Sequence, residues 1–407
     1  MKTILSADWV FPMVAPMLRD GAVVMEDGRV VEVGPAKEIH RRYSGCELIN
    51  LAGQVIVPGL INSHSHLELS HLRAAQLPHG SFVEWILALR SALRKCPADP
   101  AAAALEGARQ SMSFGVTHVG DISQSCAATR SALRDGPLRV TSFGEALGLA
   151  KLRSHFEAGL SYAVDHSSES EFLRIGICAH SPYTVDLPGY RQCLDLARGG
   201  NLPLATHLAE ASEEREFVMR QSGPLRGLWE QISLWTDPVE TFHGPPIAMA
   251  RAIGLLDYPA VLAHVNDCTD EELGWLKEGN ASVVYCPRTH AYFGRPPHRW
   301  RQMLERGINV AVGTDSCASS PDLNLVDELR LLHQQSPDLP VEQFWQMATS
   351  NAAKALRCEG GTLAPGGPAD LVSFPIQSTD PLREILENHI LPRDVWIAGN
   401  RVAGIGR

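Results

Sequence analysis

Short apolar segments alternate with helical patterns eight times along the middle of this chain, and this alternation restricts the fold more than any other feature. Eight consecutive β–α units are typical of a (β/α)8 barrel, whereas a doubly wound sheet is the alternative. A polar residue follows nearly every predicted strand, and only a closed barrel brings eight strand ends around one mouth. The predicted strands cover residues 55–61, 116–120, 139–143, 174–179, 202–206, 261–263, 282–285 and 308–312. We therefore predict an α/β protein built on a TIM barrel.

The two ends of the chain share a different pattern. Residues 21–33 form a hairpin signature with Asp-Gly at the turn, and residues 369–374 and 394–402 have the same β character. Both ends therefore look like parts of one small β-sandwich domain. The predicted domains are a composite β-sandwich over residues 1–57 and 361–407 and a barrel over residues 58–360.

Composition excludes several classes of partner. A net charge of −10 over 407 residues is mild and argues against nucleic acid or an anionic membrane. No apolar segment is long enough for a transmembrane helix, and the first residues lack the apolar core of a signal peptide. The nine cysteines are scattered without a CxxC pair and fit a reducing compartment. We expect a cytoplasmic protein that acts on a small molecule. Formation of a homodimer is compatible with such a barrel.

Histidine spacing points to a metal site. His64 and His66 are two residues apart at the end of a predicted strand, so both imidazoles point to the same side. Alone, this pair could equally be two hydrogen-bonded structural histidines. Later strand-like segments end in His207, His264 and Asp315. Imidazoles combined with a carboxylate suit Zn²⁺ or Fe²⁺, and such an ion lowers the pKa of a coordinated water for hydrolysis.

Four motifs in this order resemble the amidohydrolase superfamily, in particular its cytosine-deaminase-like branch of aminohydrolases and chlorohydrolases. They are Pro58-Gly-Leu-Ile-Asn-Ser-His64-Ser-His66, Thr206-His207-Leu-Ala-Glu210, His264 and Gly313-Thr-Asp315-Ser. The resemblance implies that His64, His66, His207 and Asp315 hold one divalent ion, Zn²⁺ or alternatively Fe²⁺. Binuclear members carry a lysine at the end of strand four, and residues 174–180 contain none.

The resemblance also implies catalytic roles. Asp315 would accept a proton from the attacking water, and Glu210 would shuttle protons between this water and the leaving amine. Hydrolytic deamination needs such a group, because a ring nitrogen must gain a proton and ammonia must leave neutral. His264 would orient the water, although it could instead be a further metal-facing imidazole. An isolated glutamate such as Glu210 is more often an ordinary surface residue.

Signals for substrate binding are weaker. His180 resembles the histidine that touches the substrate in related deaminases, with a helix-capping or core histidine as the alternative. The residues around Glu68 are similar to those of aminodeoxyfutalosine deaminases, which act on an adenine-bearing nucleoside. Glu145, Trp85 and Arg288 could contact a purine-like ring, or could each be plain scaffold.

Two long segments rich in aromatic residues, proline and glycine cover residues 222–246 and 286–300. Loops of this size on a rigid scaffold are usually functional, so we predict lids over the barrel mouth. The leading hypothesis is a mononuclear metal-dependent hydrolase that deaminates an amino-substituted heteroaromatic ring, such as that of aminodeoxyfutalosine. The alternatives are removal of chloride or an alkylamine from a triazine-like ring, hydrolysis of a cyclic amide, and a non-catalytic scaffold.

Overall fold

The structure is a computed structural model that describes residues 2–75, 77–240 and 242–402. Of the predicted ranges, residues 1 and 403–407 of the small domain, residue 76 of the barrel domain and residue 241 of the first long segment lie outside the described residues.

The described residues form fifteen strands and sixteen α-helices. The strands are β1 (Thr3–Val10), β2 (Leu18–Glu26), β3 (Arg29–Pro35), β4 (Glu47–Pro58), β5 (Leu60–Ser65), β6 (Val116–Ser123), β7 (Arg139–Ala146), β8 (Leu173–Ala179), β9 (Leu204–Leu208), β10 (Val261–His264), β11 (Ser282–Tyr285), β12 (Val310–Val312), β13 (Leu371–Pro375), β14 (Asp394–Ile397) and β15 (Asn400–Arg401). The helices are α1 (Ala36–Arg42), α2 (Phe82–Lys95), α3 (Pro100–Ser113), α4 (Cys126–Leu133), α5 (Arg153–Ala163), α6 (Leu187–Gly200), α7 (Ser212–Arg220), α8 (Gly223–Gln231), α9 (Pro246–Ala252), α10 (Asp270–Glu278), α11 (Pro287–Tyr292), α12 (Trp300–Glu305), α13 (Leu325–Gln335), α14 (Val341–Met347), α15 (Ser350–Leu356) and α16 (Pro381–Glu387). Three short 3-10 helices cover Leu67–Ala74, Ala150–Leu152 and His166–Ser168.

Eight parallel strands form the barrel. Strands β5 to β12 lie side by side in chain order, and a parallel bridge between Ser65 and Asp315 joins the first strand to the segment after the last. This order confirms the predicted TIM barrel and rules out a doubly wound sheet, in which the strand order reverses. The carboxyl ends of all eight strands therefore surround one mouth.

One predicted strand proved to be two. Residues 55–61 were expected to form the first barrel strand, but β4 ends at Pro58 in the small sheet and β5 begins at Leu60 in the barrel. Gly59 makes the transition possible, because a Cβ there would lie 2.2 Å from Oγ1 of Thr117. The continuous apolar run concealed this break, since the residues on both sides of Gly59 are buried.

The opposite end of the barrel is closed. One buried residue from each barrel strand, from Ile61 to Ala311, belongs to a cluster that also contains Ala352 and Leu356 of α15. The side chain of Asn351 donates a hydrogen bond to the carbonyl of Val310, at the start of β12. Because α15 covers the amino-terminal end of the barrel, we expect the functional site at the carboxyl-terminal mouth.

Strands from both chain ends build a second, separate sheet. Its seven strands follow the order β15-β14-β13-β4-β1-β2-β3, and antiparallel pairing of β4 with β13 joins the two ends. A TIM barrel with a separate sheet domain built from both chain ends is therefore confirmed, and the sandwich arrangement of that domain stays a prediction. We propose that the boundaries between the two domains lie near residues 57–58 and 360–361. No helix in the described ranges has the length and apolar character needed to cross a membrane.

Candidate metal centre and active site

Four side chains from three strand ends converge at the barrel mouth. His64 lies in β5, His66 directly follows it, His207 lies in β9 and Asp315 follows β12. The Nε2 atoms of His64 and His66 are each 3.7 Å from Oδ1 of Asp315, and Nε2 of His66 is 3.3 Å from Nε2 of His207. This geometry brings together all four residues that the sequence indicated as metal ligands.

The chemistry of this cluster fits a divalent cation. His64 is fully buried, and neither of its ring nitrogens has a hydrogen-bond partner among the described residues. Burial and the neighbouring His64 lower the pKa of His66 to about 4, which keeps its imidazole neutral as a ligand must be. Burial opposes ionisation of Asp315, but contacts with His64 and the other imidazoles hold its pKa below its usual range. A carboxylate facing neutral imidazoles is the donor set expected for Zn²⁺ or Fe²⁺.

Neighbouring groups fix the orientation of these side chains. Nδ1 of His207 donates a hydrogen bond of 2.9 Å to the carbonyl of His180, which leaves Nε2 free to face the cluster. The backbone N–H of Ser316 donates to Oδ1 of Asp315 over 2.8 Å. Gly313 permits the close approach of His64, because a Cβ on residue 313 would lie 2.7 Å from Cβ of His64.

Glu210 lies beside this cluster on the segment between β9 and α7. Its side chain is nearly buried, and its Oε1 is 3.9 Å from Nε2 of His264 and 4.0 Å from Nη2 of Arg295. Burial raises the pKa of Glu210 to about 8, against the opposing effect of Arg295. The segment is held by Glu214, whose carboxylate accepts hydrogen bonds of 2.8 Å from the N–H groups of Ala209 and Glu210. A carboxyl group in this state can hold a proton at neutral pH.

His264 ends β10 with a positive φ of 74°. Its carbonyl accepts a hydrogen bond of 2.9 Å from Nε2 of His298, whose ring stacks on Tyr285. Burial lowers the pKa of His264 well below its usual value. One nitrogen of His264 also lies within 4.8 Å of ring nitrogens of His64 and His207, so both predicted roles, orienting residue and metal-facing imidazole, remain open.

A cavity of about 270 Å³ opens from this cluster to the surface. Two predicted substrate-binding residues line it as a pair, with Nε2 of His180 3.4 Å from Oε1 of Glu145. Nδ1 of His180 lies 2.6 Å from Oγ1 of Thr184, which fixes the ring. Burial lowers the pKa of His180 to about 3 and raises that of Glu145 to about 8. Both groups are therefore neutral near pH 7 and suit an uncharged heteroaromatic ring.

Glu68 lines the same cavity, but its carboxylate is already in use. It accepts hydrogen bonds from Oγ of Ser123 and from the N–H groups of Gln124 and Ser125, at 2.9 to 3.1 Å. These bonds attach the Glu68 carboxylate to residues 123–125, which directly precede α4. Trp85 also faces the cavity, and its indole N–H donates to the carbonyl of Ala318.

Arg288 is a correction to the sequence prediction. Its guanidinium donates to Glu328 at 2.6 Å and to Asp322 at 2.7 Å, and it is not among the described residues that line the cavity. Arg288 therefore neutralises the fully buried Glu328 and belongs to the scaffold. Its two carboxylate partners lie 34 and 40 residues further along the chain, a distance over which no local pattern indicates a contact.

Both predicted lid segments contain short helices. The first includes α8, whose Leu228 and Trp229 line the cavity. The second includes α11 and supplies Arg295, which the sequence interpretation missed. Tyr183, which lines the cavity, was also missed. In the sequence, the signals that could have indicated these two residues were the position of Arg295 within residues 286–300 and that of Tyr183 three residues after His180.

Comparison with known proteins agrees with this geometry. Residues 55–402 match the model of the amidohydrolase family. A 5-methylthioadenosine/S-adenosylhomocysteine deaminase of Nitratidesulfovibrio vulgaris strain Miyazaki F is 30% identical over 371 residues, which are 87% of this chain and 79% of that protein. An aminodeoxyfutalosine deaminase of Deinococcus radiodurans is 28% identical over 83% of this chain and 81% of its own length. The crystal structure of Helicobacter pylori aminofutalosine deaminase with methylthio-coformycin superposes with a TM-score of 0.87 at 25% identity, covering 98% of this chain and all of that one. This chain belongs to the amidohydrolase family.

Proposed function

We propose that this protein is a mononuclear metal-dependent aminohydrolase that deaminates an adenine-type nucleoside. One observation carries the proposal: the buried Glu210 carboxyl group lines the same cavity as His66, His207 and Asp315. Deamination of such a ring needs a group that gives a proton to the ring nitrogen while water attacks, and we assign this role to Glu210. The deaminase activities of the named relatives support the same reaction.

The proposed ligands of the metal are His64, His66, His207 and Asp315. We propose a single Zn²⁺, with Fe²⁺ as the alternative, because β8 contains no lysine and is followed by His180 instead. When bound, the ion lowers the pKa of water and so supplies the hydrolytic nucleophile.

The protein's own groups would move the protons. Asp315 accepts one proton from the attacking water, while Glu210 gives its proton to a ring nitrogen next to the carbon under attack. Glu210 is then reprotonated by the hydroxyl group on that carbon, and Asp315 passes its proton to the amine. The carbon–nitrogen bond breaks, ammonia leaves and a ring carbonyl remains. His264, 3.9 Å from Glu210, would orient the water.

Recognition of the ring is assigned to the neutral pair His180 and Glu145. Nε2 of His180 and the carboxyl group of Glu145 both belong to the cavity wall and can exchange hydrogen bonds with ring nitrogens. Glu68 could join them only by sharing an oxygen that already accepts a hydrogen bond.

Ammonia release from a panel of compounds tests the proposal. The panel contains adenosine, 5′-methylthioadenosine, S-adenosylhomocysteine, aminodeoxyfutalosine, guanine, cytosine, a pterin and a chlorotriazine. We expect release from at least one adenine nucleoside at a kcat/KM far above those of the other classes. Chloride release from the triazine without any deamination would contradict the proposal. A cytoplasmic location and a homodimer stay predictions.

A further inference from the structure

The outer part of the cavity is an apolar passage between two helices. On one side, α2 faces it with residues spaced three and four apart, as on one face of a helix. On the other side stand α8 and the segment that follows it. The apolar lining residues of these two walls are Phe82, Trp85, Ile86, Leu89, Leu93, Leu228, Trp229, Ile232 and Leu234.

Arg90 is the exception on the α2 wall. It lies four residues after Ile86 and three before Leu93, so it shares the face that lines the cavity. It is the one lysine or arginine among the described lining residues, and its exposed side chain forms no ion pair with another described residue. An exposed cation on the lining face, beside Leu89 and Leu93, is available to an anionic group on a ligand.

We propose that the preferred substrate carries an apolar arm ending in a carboxylate, and that Arg90 binds this carboxylate at the cavity mouth. This inference rests on the proposed function, since the amino-substituted ring must lie at Glu210. The apolar walls select an apolar arm, because each buried methylene group gains roughly 0.8 kcal/mol. A phosphate is disfavoured, since a single arginine would face a dianion in a cavity that also contains the carboxyl groups of Glu68 and Asp315.

Steady-state kinetics of Arg90→Met against the nucleoside panel test the proposal. S-adenosylhomocysteine and its methyl ester form a pair in which the ester removes the carboxylate charge and keeps the adenosine and the thioether, and 5′-methylthioadenosine is the neutral short-arm probe. The wild type should turn over a carboxylate-bearing nucleoside best. Arg90→Met should raise KM for that substrate about tenfold or more, with kcat within a factor of about two, because a charge-assisted hydrogen bond is lost.

The matched control is Arg94→Met, on the same helix but not among the described lining residues. Arg94→Met should leave every KM unchanged, and Arg90→Lys should recover part of the loss. The effect of Arg90→Met should vanish for neutral probes and shrink at high salt, which a merely structural role would not reproduce.

The proposal would be overturned by a best substrate without a carboxylate, or by equal effects of Arg90→Met and Arg94→Met. Its failure is distinguishable from failure of the proposed function. If adenine nucleosides are deaminated without a preference for the carboxylate, only this inference is wrong. If no compound of the panel is deaminated, the proposed function is wrong, and this inference is wrong as well.

Discussion

Replacing Glu210 by glutamine should separate proton transfer from metal binding. The substitution keeps the length and volume of the side chain, and the backbone N–H of residue 210 still donates to Glu214, so the segment should stay in place. It removes the one carboxyl group that we propose to donate a proton to the ring. General acid–base catalysis typically contributes ~10²–10⁴-fold, which corresponds to about 2.7–5.4 kcal/mol in the activation free energy.

The assay measures kcat by the loss of adenine absorbance and metal content in the same preparation. We expect kcat to fall by at least about a hundredfold, with metal content equal to that of the wild type. Glu213→Gln is the matched control, because Glu213 lies in α7 and is not among the described cavity residues. Normal turnover by Glu210→Gln would refute the shuttle role. Loss of the metal from Glu210→Gln would instead indicate that Glu210 is a metal ligand.

Three further substitutions test how the scaffold supports the site. Glu214→Gln should lower kcat and destabilise the fold by about 1–3 kcal/mol, as a buried N–H loses its acceptor; chemical denaturation and kinetics measure both. Arg288→Met should leave Glu328 buried without its cation and lower the free energy of unfolding by about 3–5 kcal/mol, while KM of the folded protein stays unchanged. A changed KM at normal stability would instead indicate that Arg288 contacts the substrate. Gly313→Ala should displace His64, because the new Cβ would lie 2.7 Å from its Cβ, and should reduce metal content.

The cluster of three histidines and one aspartate could be predicted because each of its members is marked locally. His64, His66, His207 and Asp315 each stand at the end of an apolar strand, and a closed barrel with strands in chain order brings such ends together. Alternation of strands and helices therefore sufficed for the barrel, and the polar residues at the strand ends indicated this cluster. Pairing of the chain ends was visible from their shared β character.

Contacts between distant side chains could not be predicted. Arg288 was assigned to the substrate because it follows a barrel strand, but its position is decided by Glu328 and Asp322, which no local pattern connects to it. Arg295 was missed for the same reason, since its approach to Glu210 depends on how the segment after α11 folds back. The break between β4 and β5 was hidden because both strands are apolar.

The most direct test of the metal-dependent deaminase is a titration of metal-depleted protein with Zn²⁺, followed by ammonia release from the best nucleoside of the panel. The account predicts negligible activity without metal and a linear rise that saturates at one ion per chain. Saturation at two ions per chain would contradict a mononuclear site. Full activity in the metal-depleted protein would contradict the assignment of His64, His66, His207 and Asp315 as the ligands of a catalytic ion.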